Sequence, residues 1–311
     1  MADGFLPRIP VGDGIDVAFD WLKEHLDPVF DAVSTVTEGA VETLTDGLLV
    51  LPPILFAVLL ALLGVVARSL VFGIGSLLGL LLVQSMELWP QAMQTLALLL
   101  VATLVSVVIA VPVGIAAAKN DRVSSFVRPV LDFMQTMPAF VYLVPAVVLF
   151  GLGVVPGVVT TIIFALPPGV RLTELGIRQV DRETVEAGHA FGTPPGQILR
   201  GIELPLARPT IMAGINQVIM LGLSMAVIAG LIGADGLGKV VVTGISRLDV
   251  GLGFEGGLAV VILAIYLDRL TAAFGERGTR RRGLRVPFAG RRRRPPTPAA
   301  GVPADEAVPQ H

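Results

Sequence analysis

Long apolar runs separated by short polar stretches are the main pattern along this chain. An apolar helix needs about 20 residues to cross a bilayer, and seven runs approach or exceed that length. We predict membrane spans at residues 48–67, 69–86, 95–118, 130–150, 152–170, 209–232 and 251–270. The fourth is the weakest, because Asp132, Pro138 and Pro145 interrupt it and such breaks need cover from protein or a water-filled cavity. The pattern therefore predicts an all-α, polytopic membrane protein with about seven transmembrane helices.

The composition agrees with this class. Of the 311 residues, 53% are hydrophobic and only 15% are charged, and the mean hydropathy is +0.78, which excludes a soluble globular fold. The chain has no cysteine, which excludes disulfides, zinc–thiolate sites and thiol nucleophiles. The three histidines lie far apart and no P-loop is present. We therefore expect no catalytic residue, no metal site and no ATPase site in this chain.

The two ends of the chain carry opposite charge. Residues 1–47 hold ten acidic and two basic residues, and apolar side chains recur on one helical face, which comprises Ile15, Ala18, Phe19, Leu22 and Leu26. We predict an amphipathic N-terminal arm over 1–47, either a helix lying on the membrane surface or a soluble helix folded over neighbouring loops. Residues 277–294 hold nine arginines and no acid. We predict a disordered Arg/Pro-rich tail over 273–311 that contacts anionic lipid through Arg291–Arg294 rather than nucleic acid.

The basic residues favour one orientation, with the N-terminus outside and the C-terminus in the cytoplasm. Under the positive-inside rule, the seven spans place the basic loops inside, together with the tail: Arg68, Lys119, Arg122, Arg128 and the polar segment 171–208. The acidic arm and Asp235 fall outside. Lys239 and Arg247 also fall outside, which conflicts with the rule. The prediction is a multi-pass protein of the cell membrane, with residues 48–272 as its membrane domain.

The polar segment 171–208 is predicted to form two short helices with a sharp turn between them. Residues 181–191 can be helical, and Gly192 follows where a left-handed C-terminal residue is favoured. Thr193 can cap a second helix that starts with Pro194 and Pro195, since a proline in the first turn needs no partner for a backbone N–H. Two prolines are expected to end that helix before the next span: Pro205 and Pro209.

One spacing within this segment resembles a known signature. The segment reads Glu-Ala-Gly, then three residues, a glycine, nine residues and Ile-x-Leu-Pro. This pattern resembles the cytoplasmic EAA loop of ABC-importer permeases. The matching positions are Glu186, Ala187, Gly188, Gly192, Ile202, Leu204 and Pro205. Gly188 departs from the pattern, which has alanine there. The change keeps the helix surface small but weakens the helix by roughly 1 kcal/mol. The resemblance implies a coupling loop that docks on a separate ATP-hydrolysing subunit. The alternative from the residues alone is an ordinary amphipathic loop between helices.

Three further stretches resemble permeases of glycine betaine/proline betaine importers: 135–142, 204–225, and 236–238 with 244–249. The resemblance extends over roughly residues 5–272 and implies a type I ABC-importer permease fold that works as a homodimer. Its implied partners are ATPase subunits that bind ATP and Mg²⁺, and an extracytoplasmic substrate-binding protein that selects the solute. Such permeases carry a similar N-terminal arm, which favours its membrane-surface interpretation. Two alternatives stay open: an importer of another small solute (choline, carnitine or an amino acid), or an ion-coupled secondary transporter.

Four side chains within the sixth span are candidates for lining the translocation pathway. Asn216, Gln217, Ser224 and Met225 lie in that apolar run, and polar groups at membrane depth are functional candidates by default. The alternative is hydrogen bonding between the helices of a packed bundle. Asp132, in the fourth predicted span, lies close enough to the cytoplasmic end that hydration is the simpler interpretation.

Overall fold

The structure, a computed structural model, describes residues 11–280, and every regular element among them is helical. Twelve α-helices follow one another in this part of the chain: α1 (Val11–Leu49), α2 (Pro53–Ala67), α3 (Leu70–Ser85), α4 (Trp89–Lys119), α5 (Asp121–Thr136), α6 (Leu143–Phe150), α7 (Val154–Arg178), α8 (Arg182–Ala190), α9 (Pro195–Ile198), α10 (Leu204–Ile228), α11 (Leu237–Arg247) and α12 (Val250–Arg280). Three short segments complete them: 3₁₀ turns at Ala139–Tyr142 and Ala229–Ile232, and a π-turn at Leu199–Glu203. The predicted all-α class is confirmed.

Fewer unbroken helices are long enough to cross a membrane than the sequence predicts. Among residues 11–280, four helices are long and apolar enough: Trp89–Lys119, Val154–Arg178, Pro195–Ile232 and Val250–Ala273. The number rises to six at most if each of two bent helix pairs forms one span. The predicted count of seven is therefore too high for unbroken spans. The helix breaks at prolines in two of the seven runs, 48–67 and 130–150, and α3 contains only 16 residues.

Both bends follow from proline. Helices α1 and α2 meet at 97°, where Pro52 and Pro53 follow the end of α1. A proline has no N–H for the helical ladder and disfavours helical backbone in the residue before it. The predicted span 48–67 therefore retains a helix of only 15 residues, which is about 22 Å long. Pro138 acts in the same way, since the predicted span 130–150 is split between α5 and α6, with a bend of 106°.

Helices α4, α7 and α10 form the centre of the bundle. Glycines let these helices approach one another closely. A Cβ on Gly114 of α4 would be 2.7 Å from the carbonyl oxygen of Val170 in α7. A Cβ on Gly169 of α7 would be 3.0 Å from a methyl group of Val218 in α10. This packing brings the ends of α4 and α7 beside the start of α10.

At the opposite end of the bundle, the chain reverses between α10 and α11. Gly233 has a φ of +87° and Gly236 a φ of +120°, conformations that favour glycine. The Leu237 N–H donates a hydrogen bond of 2.8 Å to Oγ1 of Thr95 in α4. This bond fixes the reversal to the central helix α4.

Helix α1 forms most of the predicted N-terminal arm. Its second half packs against α4, α6 and α7, with Val41 buried and the Phe30 ring edge-on to Phe150 at 5.4 Å between ring centroids. Its first half leaves apolar side chains exposed, including Ile15 and Trp21. The arm is therefore helical and partly attached to the bundle, and the membrane-surface position of its first half stays a prediction.

Helix α12 ends the part of the chain that the structure describes. It runs to Arg280, beyond the predicted end of the seventh span at residue 270, and includes the first residues assigned to the tail. Residues 271–280 contain no proline that would stop the helix. The rest of the predicted tail, 281–311 with Arg291–Arg294, lies outside the described residues, as do residues 1–10 of the arm.

Candidate functional site

The polar loop between α7 and α10 begins with α8. The Asp181 carboxylate accepts a hydrogen bond of 3.1 Å from the Glu183 N–H and so caps the first turn. Glu186 and Ala187 are exposed, whereas Gly188, the next residue, is buried. The helix predicted over residues 181–191 is confirmed, apart from its first and last positions.

Gly192 ends α8 in the way that the sequence predicts. Its φ is +73°, which places it in the left-handed region. The Gly192 N–H donates to the His189 carbonyl at 2.9 Å, and the Thr193 N–H donates to the Gly188 carbonyl at 3.1 Å. These two bonds form the Schellman motif, which satisfies carbonyl groups at the end of a helix. The sharp turn after α8 is therefore fixed by backbone bonding.

The start of the second helix differs from the prediction by one position. Helix α9 begins at Pro195 with Pro194 at its N-cap position, and no side chain caps it. Thr193 therefore lies outside the helix, and its predicted capping role is wrong. Pro195 occupies the first helical position, where the missing N–H of proline costs nothing.

The expected end of that helix is also wrong. Pro205 and Pro209 do not stop it, because α9 passes through the π-turn directly into α10 and both prolines lie within α10. The Leu204 N–H donates to the Leu199 carbonyl, five residues earlier. The hydrogen-bond register has thus shifted before Pro205, which occupies the first turn of α10 and needs no donor there.

Gly188 is the point where the two halves of the loop touch. A Cβ on Gly188 would be 3.0 Å from Cδ1 of Ile202 and 3.5 Å from Cγ1 of Ile198. Ile198 is only 1% exposed, so this contact is the small core of the loop. Phe191, three residues after Gly188, has the opposite environment. It is 89% exposed and forms an apolar tip beside Gly192.

Charged side chains tie both ends of the loop to the turn between α4 and α5. We call residues 117–121 the α4–α5 corner. Lys119 lies against the Glu203 carboxylate in the π-turn, and Glu203 is only 5% exposed. Arg178, at the end of α7, donates to the Ala117 carbonyl and to Asp121 Oδ1, each at 2.8 Å. One corner therefore contacts the chain just before and just after the two loop helices.

A ladder of polar contacts joins α5 to α7 near the same end. The Ser124 hydroxyl and an Arg128 N–H both donate to Glu174 Oε1 at 2.8 Å. Farther along the two helices, Arg171 pairs with Asp132. Asp132 is thus ion-paired, its side chain is 65% exposed, and its hydration stays a prediction. A cavity of about 390 Å³ lies beside the ladder.

Glu174 and Glu203 were not among the site residues predicted from the sequence. Glu174 had a usable signal, because Asp121, Ser124 and Arg128 recur at helical spacing and oppose the charges of α7. Glu203 had none, since it occupies the unspecified position of Ile-x-Leu-Pro. Its partner lies on a helix that is distant in sequence.

More than half of the chain, residues 110–279, matches the family described as the binding-protein-dependent transport system inner membrane component. The chain belongs to this family. It is therefore an inner-membrane permease component, and its described residues contain several helices able to cross a membrane.

Two relatives match nearly the whole permease. The glycine betaine/proline betaine transport system permease protein of Escherichia coli (strain K12) is 48% identical over 277 residues, which cover 89% of this chain and 78% of that protein. The glycine betaine/carnitine transport permease protein of Listeria monocytogenes (serotype 1/2a, strain 10403S) is 48% identical over 276 residues, covering 88% of this chain and 98% of that protein. These two proteins bear names from the group that the sequence motifs resemble.

A solved structure resembles the permease in fold. A chain of the MetNI methionine ABC transporter, in an inward-facing conformation, has a TM-score of 0.54 and 24% identity, and the match covers 62% of this chain and 95% of that chain. At this identity the likeness concerns the fold alone. It confirms the predicted ABC-permease fold.

Two of the four side chains that were candidates for lining the pathway of the permease instead contact other helices of the same chain. The Asn216 side chain donates to Asp268 Oδ1 at 2.8 Å and accepts from the Thr271 hydroxyl, so it joins α10 to α12. Met225 is fully buried in the core cluster around α4 and α7. Asn216 thus makes the hydrogen bonds between helices that were the alternative interpretation from the sequence. The buried Met225 side chain lines no surface in this structure.

The other two candidates share an exposed face of α10. Gln217 and Ser224 are both exposed, and their separation of two helical turns places them on one side of the helix. Met220 lies between them and is 54% exposed. The pathway assignment stays a prediction for Gln217 and Ser224.

Proposed function

We propose that this permease is the membrane-spanning subunit of an ATP-driven importer for glycine betaine/proline betaine-type solutes. The observation that carries the proposal is identity at almost half of the positions, along nearly the whole chain, to two permeases of that description. An ion-coupled carrier is less favoured, because the family's description ties its members to a separate binding protein.

The loop of α8, α9 and the π-turn is the proposed coupling loop, which docks on a separate ATPase subunit. Several observations support it. The Schellman turn at Gly192 and the contact of Gly188 with Ile202 hold the loop helices in one arrangement. Glu186 and Ala187 lie on the exposed side of α8, and Phe191 offers an apolar anchor for a pocket on a partner. ATP and Mg²⁺ bind to that partner, and the loop acts through its shape and its attachment to the bundle.

The proposed orientation places the coupling loop in the cytoplasm and the N-terminus outside. The loop and Lys119 lie at one end of the bundle. At the other end, Glu38 and Asp46 of α1 line a cavity together with Asp235. Lys239, which conflicts with the positive-inside rule, pairs with Asp235 at 2.7 Å. Its charge is thus compensated on the outer side, which supports this orientation.

Three further partners complete the proposed assembly. A second copy of the permease faces the exposed side of α10 that carries Gln217 and Ser224, so that the pathway lies between the copies. An extracytoplasmic substrate-binding protein docks at the end of the bundle that contains Asp235. Lipid at the membrane surface contacts the exposed first half of α1. Transport then follows alternating access, with ATP-driven closure of the ATPase subunits moving the coupling loops.

Carnitine is the second candidate substrate. The observation that favours it is the name of the Listeria relative, which includes carnitine and matches the permease as closely as the Escherichia coli relative does. Both solutes are small quaternary ammonium carboxylates, so one permease can serve either if the binding protein selects between them. Choline or an amino acid is less favoured.

The test is uptake into proteoliposomes that contain the permease, its ATPase and its binding protein. Labelled glycine betaine, carnitine, choline and proline are compared, with and without ATP inside. We expect uptake of glycine betaine that requires ATP and the binding protein. ATP-dependent uptake restricted to another of these solutes would support the proposal of an importer but overturn glycine betaine as its substrate. Uptake by the permease alone, driven by an ion gradient, would overturn the importer itself.

A further inference from the structure

The α4–α5 corner lies between the coupling loop and the membrane bundle. It consists of residues 117–121, which end α4 and begin α5. Asn120 separates the two helices with extended backbone, and its side chain accepts a hydrogen bond of 2.9 Å from the Arg122 N–H. Because α4 is a central helix of the bundle, a displacement of this corner is also a displacement of α4.

The first contact of the corner is the ion pair of Lys119 with Glu203. The Glu203 side chain is 7% exposed, whereas that of Lys119 is 42% exposed. A buried carboxylate is costly unless a cation compensates it, so the position of Glu203 depends on Lys119. Glu203 is the last residue of the π-turn, and the residue before it, Ile202, packs under Gly188 of α8. The contact therefore links the loop core directly to the end of α4.

The second contact involves Arg178, which ends α7 just before the loop. Its guanidinium donates to the Ala117 carbonyl and to Asp121, and its Nε lies 2.9 Å from Glu174. The multiple bonds hold this planar group in a defined orientation. The two contacts bracket the loop, since one precedes α8 and the other follows α9.

We propose that the α4–α5 corner transmits the movement of the coupling loop to the bundle, through Lys119–Glu203 on one side and Asp121–Arg178 on the other. The inference rests on the proposed function, in which an ATPase moves this loop. Four residues act as positioning residues, because they hold the ends of the loop to α4 and α5: Lys119, Asp121, Arg178 and Glu203. In this proposal, α8 and the Phe191 tip bind the ATPase, and the α4–α5 corner transmits the movement of the loop to the bundle.

The first test separates docking from transmission by replacing Lys119 with glutamine and Glu203 with glutamine, singly and together. The permease is reconstituted with its ATPase and binding protein, and three quantities are measured: ATPase copurification, ATP hydrolysis and solute uptake. We expect normal copurification and hydrolysis, with uptake per ATP reduced roughly three- to thirty-fold, as residues in a coupling network change coupling. Arg122→Gln is the matched control, because Arg122 is an exposed cation beside the corner that contacts neither Glu203 nor Arg178.

A charge exchange provides a second variant that does not depend on how well the neutral variants fold. Lys119→Glu alone places two carboxylates together and is expected to reduce uptake per ATP further. The double variant Lys119→Glu with Glu203→Lys restores the pair, and we expect it to recover most of the coupling. A charge exchange that folds, binds the ATPase and recovers nothing would count against a paired function for these residues.

The absence of native cysteine allows a decisive measurement. Lys119→Cys with Glu203→Cys removes the ion pair, and a short bifunctional thiol reagent then reconnects the corner to the π-turn. If the two residues move as one unit, cross-linking restores uptake per ATP. Cross-linking that abolishes uptake while hydrolysis continues would mean that they separate during transport, and the proposal would be wrong. If the unsubstituted permease shows no ATP-dependent uptake, the proposed function fails instead.

Discussion

Gly188 and Ile202 pack so closely that a Cβ on the glycine would lie 3.0 Å from Cδ1 of the isoleucine. The contacted atom is the far end of a flexible side chain, which can move by a few tenths of an ångström. Alanine also favours the helix over glycine by roughly 1 kcal/mol. We therefore expect Gly188→Ala to keep coupling and to raise the thermal unfolding midpoint of the purified permease slightly.

A larger side chain at the same position gives the opposite expectation. Gly188→Leu forces α8 away from Ile198 and Ile202, since overpacking of a filled contact costs about 1–3 kcal/mol. Its measurement is ATPase copurification together with uptake per ATP, compared with Gly188→Ala. Equal behaviour of the two variants would show that the loop core does not set the position of α8.

Substitutions at Gly192 test the effect of backbone conformation alone, because a side chain there would not clash with its neighbours. Its φ is +73° and a Cβ at this position would meet no other atom within 4 Å, so only the left-handed backbone opposes a side chain. That strain costs roughly 1–2 kcal/mol for most residues and less for asparagine. We expect Gly192→Val to uncouple hydrolysis from uptake and Gly192→Asn to retain most of the coupling. Gly196→Ala is the matched control, because its surroundings are equally open and its backbone is helical.

The local chemistry of Gly192 explains why part of this loop could be predicted from sequence. The conformation of a left-handed glycine depends on residues within a few positions, so Gly192 was sufficient to place the end of α8. The role of Pro205 depends on the hydrogen-bond register that the π-turn creates. The general tendency of proline to end a helix therefore gave a wrong prediction for the end of the second loop helix. The Lys119–Glu203 pair depends on how α4 and α10 pack, which no local pattern contains. The seven apolar runs indicated a membrane bundle, but the prolines at 52, 53 and 138 decided which runs stayed straight.

Phe191 is the residue of the loop whose exposure most directly predicts a partner. An apolar ring that is 89% exposed on a polar loop is an anchor of the kind that dominates protein interfaces. We expect Phe191→Ala to weaken ATPase binding by about 2 kcal/mol or more, roughly thirty-fold in Kd. Binding is measured between the purified permease and its ATPase in detergent. Phe254→Ala is the control, since Phe254 is 70% exposed on α12, and a loss of equal size there would argue against a specific anchor.

Thr95 is expected to stabilise the reversal between α10 and α11 through its hydroxyl group. Its Oγ1 accepts the hydrogen bond of the Leu237 N–H at 2.8 Å, and Thr95 is 2% exposed. Thr95→Val keeps the shape but leaves that N–H without an acceptor, which costs about 1–3 kcal/mol. Thr95→Ser keeps the acceptor and loses one methyl group, worth about 0.8 kcal/mol. We expect the valine variant to have the lower unfolding midpoint, and the reverse order would show that the methyl group matters more.

If α10 lines the pathway, its exposed and its buried side chains should differ in their reactivity toward reagents in water. Cysteine is placed singly at Gln217, Ser224 and Met225, in a chain that has no cysteine of its own. If the exposed face of α10 lines an aqueous pathway between two copies, Gln217→Cys and Ser224→Cys react with a membrane-impermeant thiol reagent, and bound solute slows the reaction. Met225→Cys stays unreactive, because Met225 is fully buried within the chain. A face that contacts lipid gives no reaction at Gln217 or Ser224, since thiolates form poorly in hydrocarbon. Reaction at Met225 alone would place the pathway inside one copy, and the proposed position between copies would then be wrong.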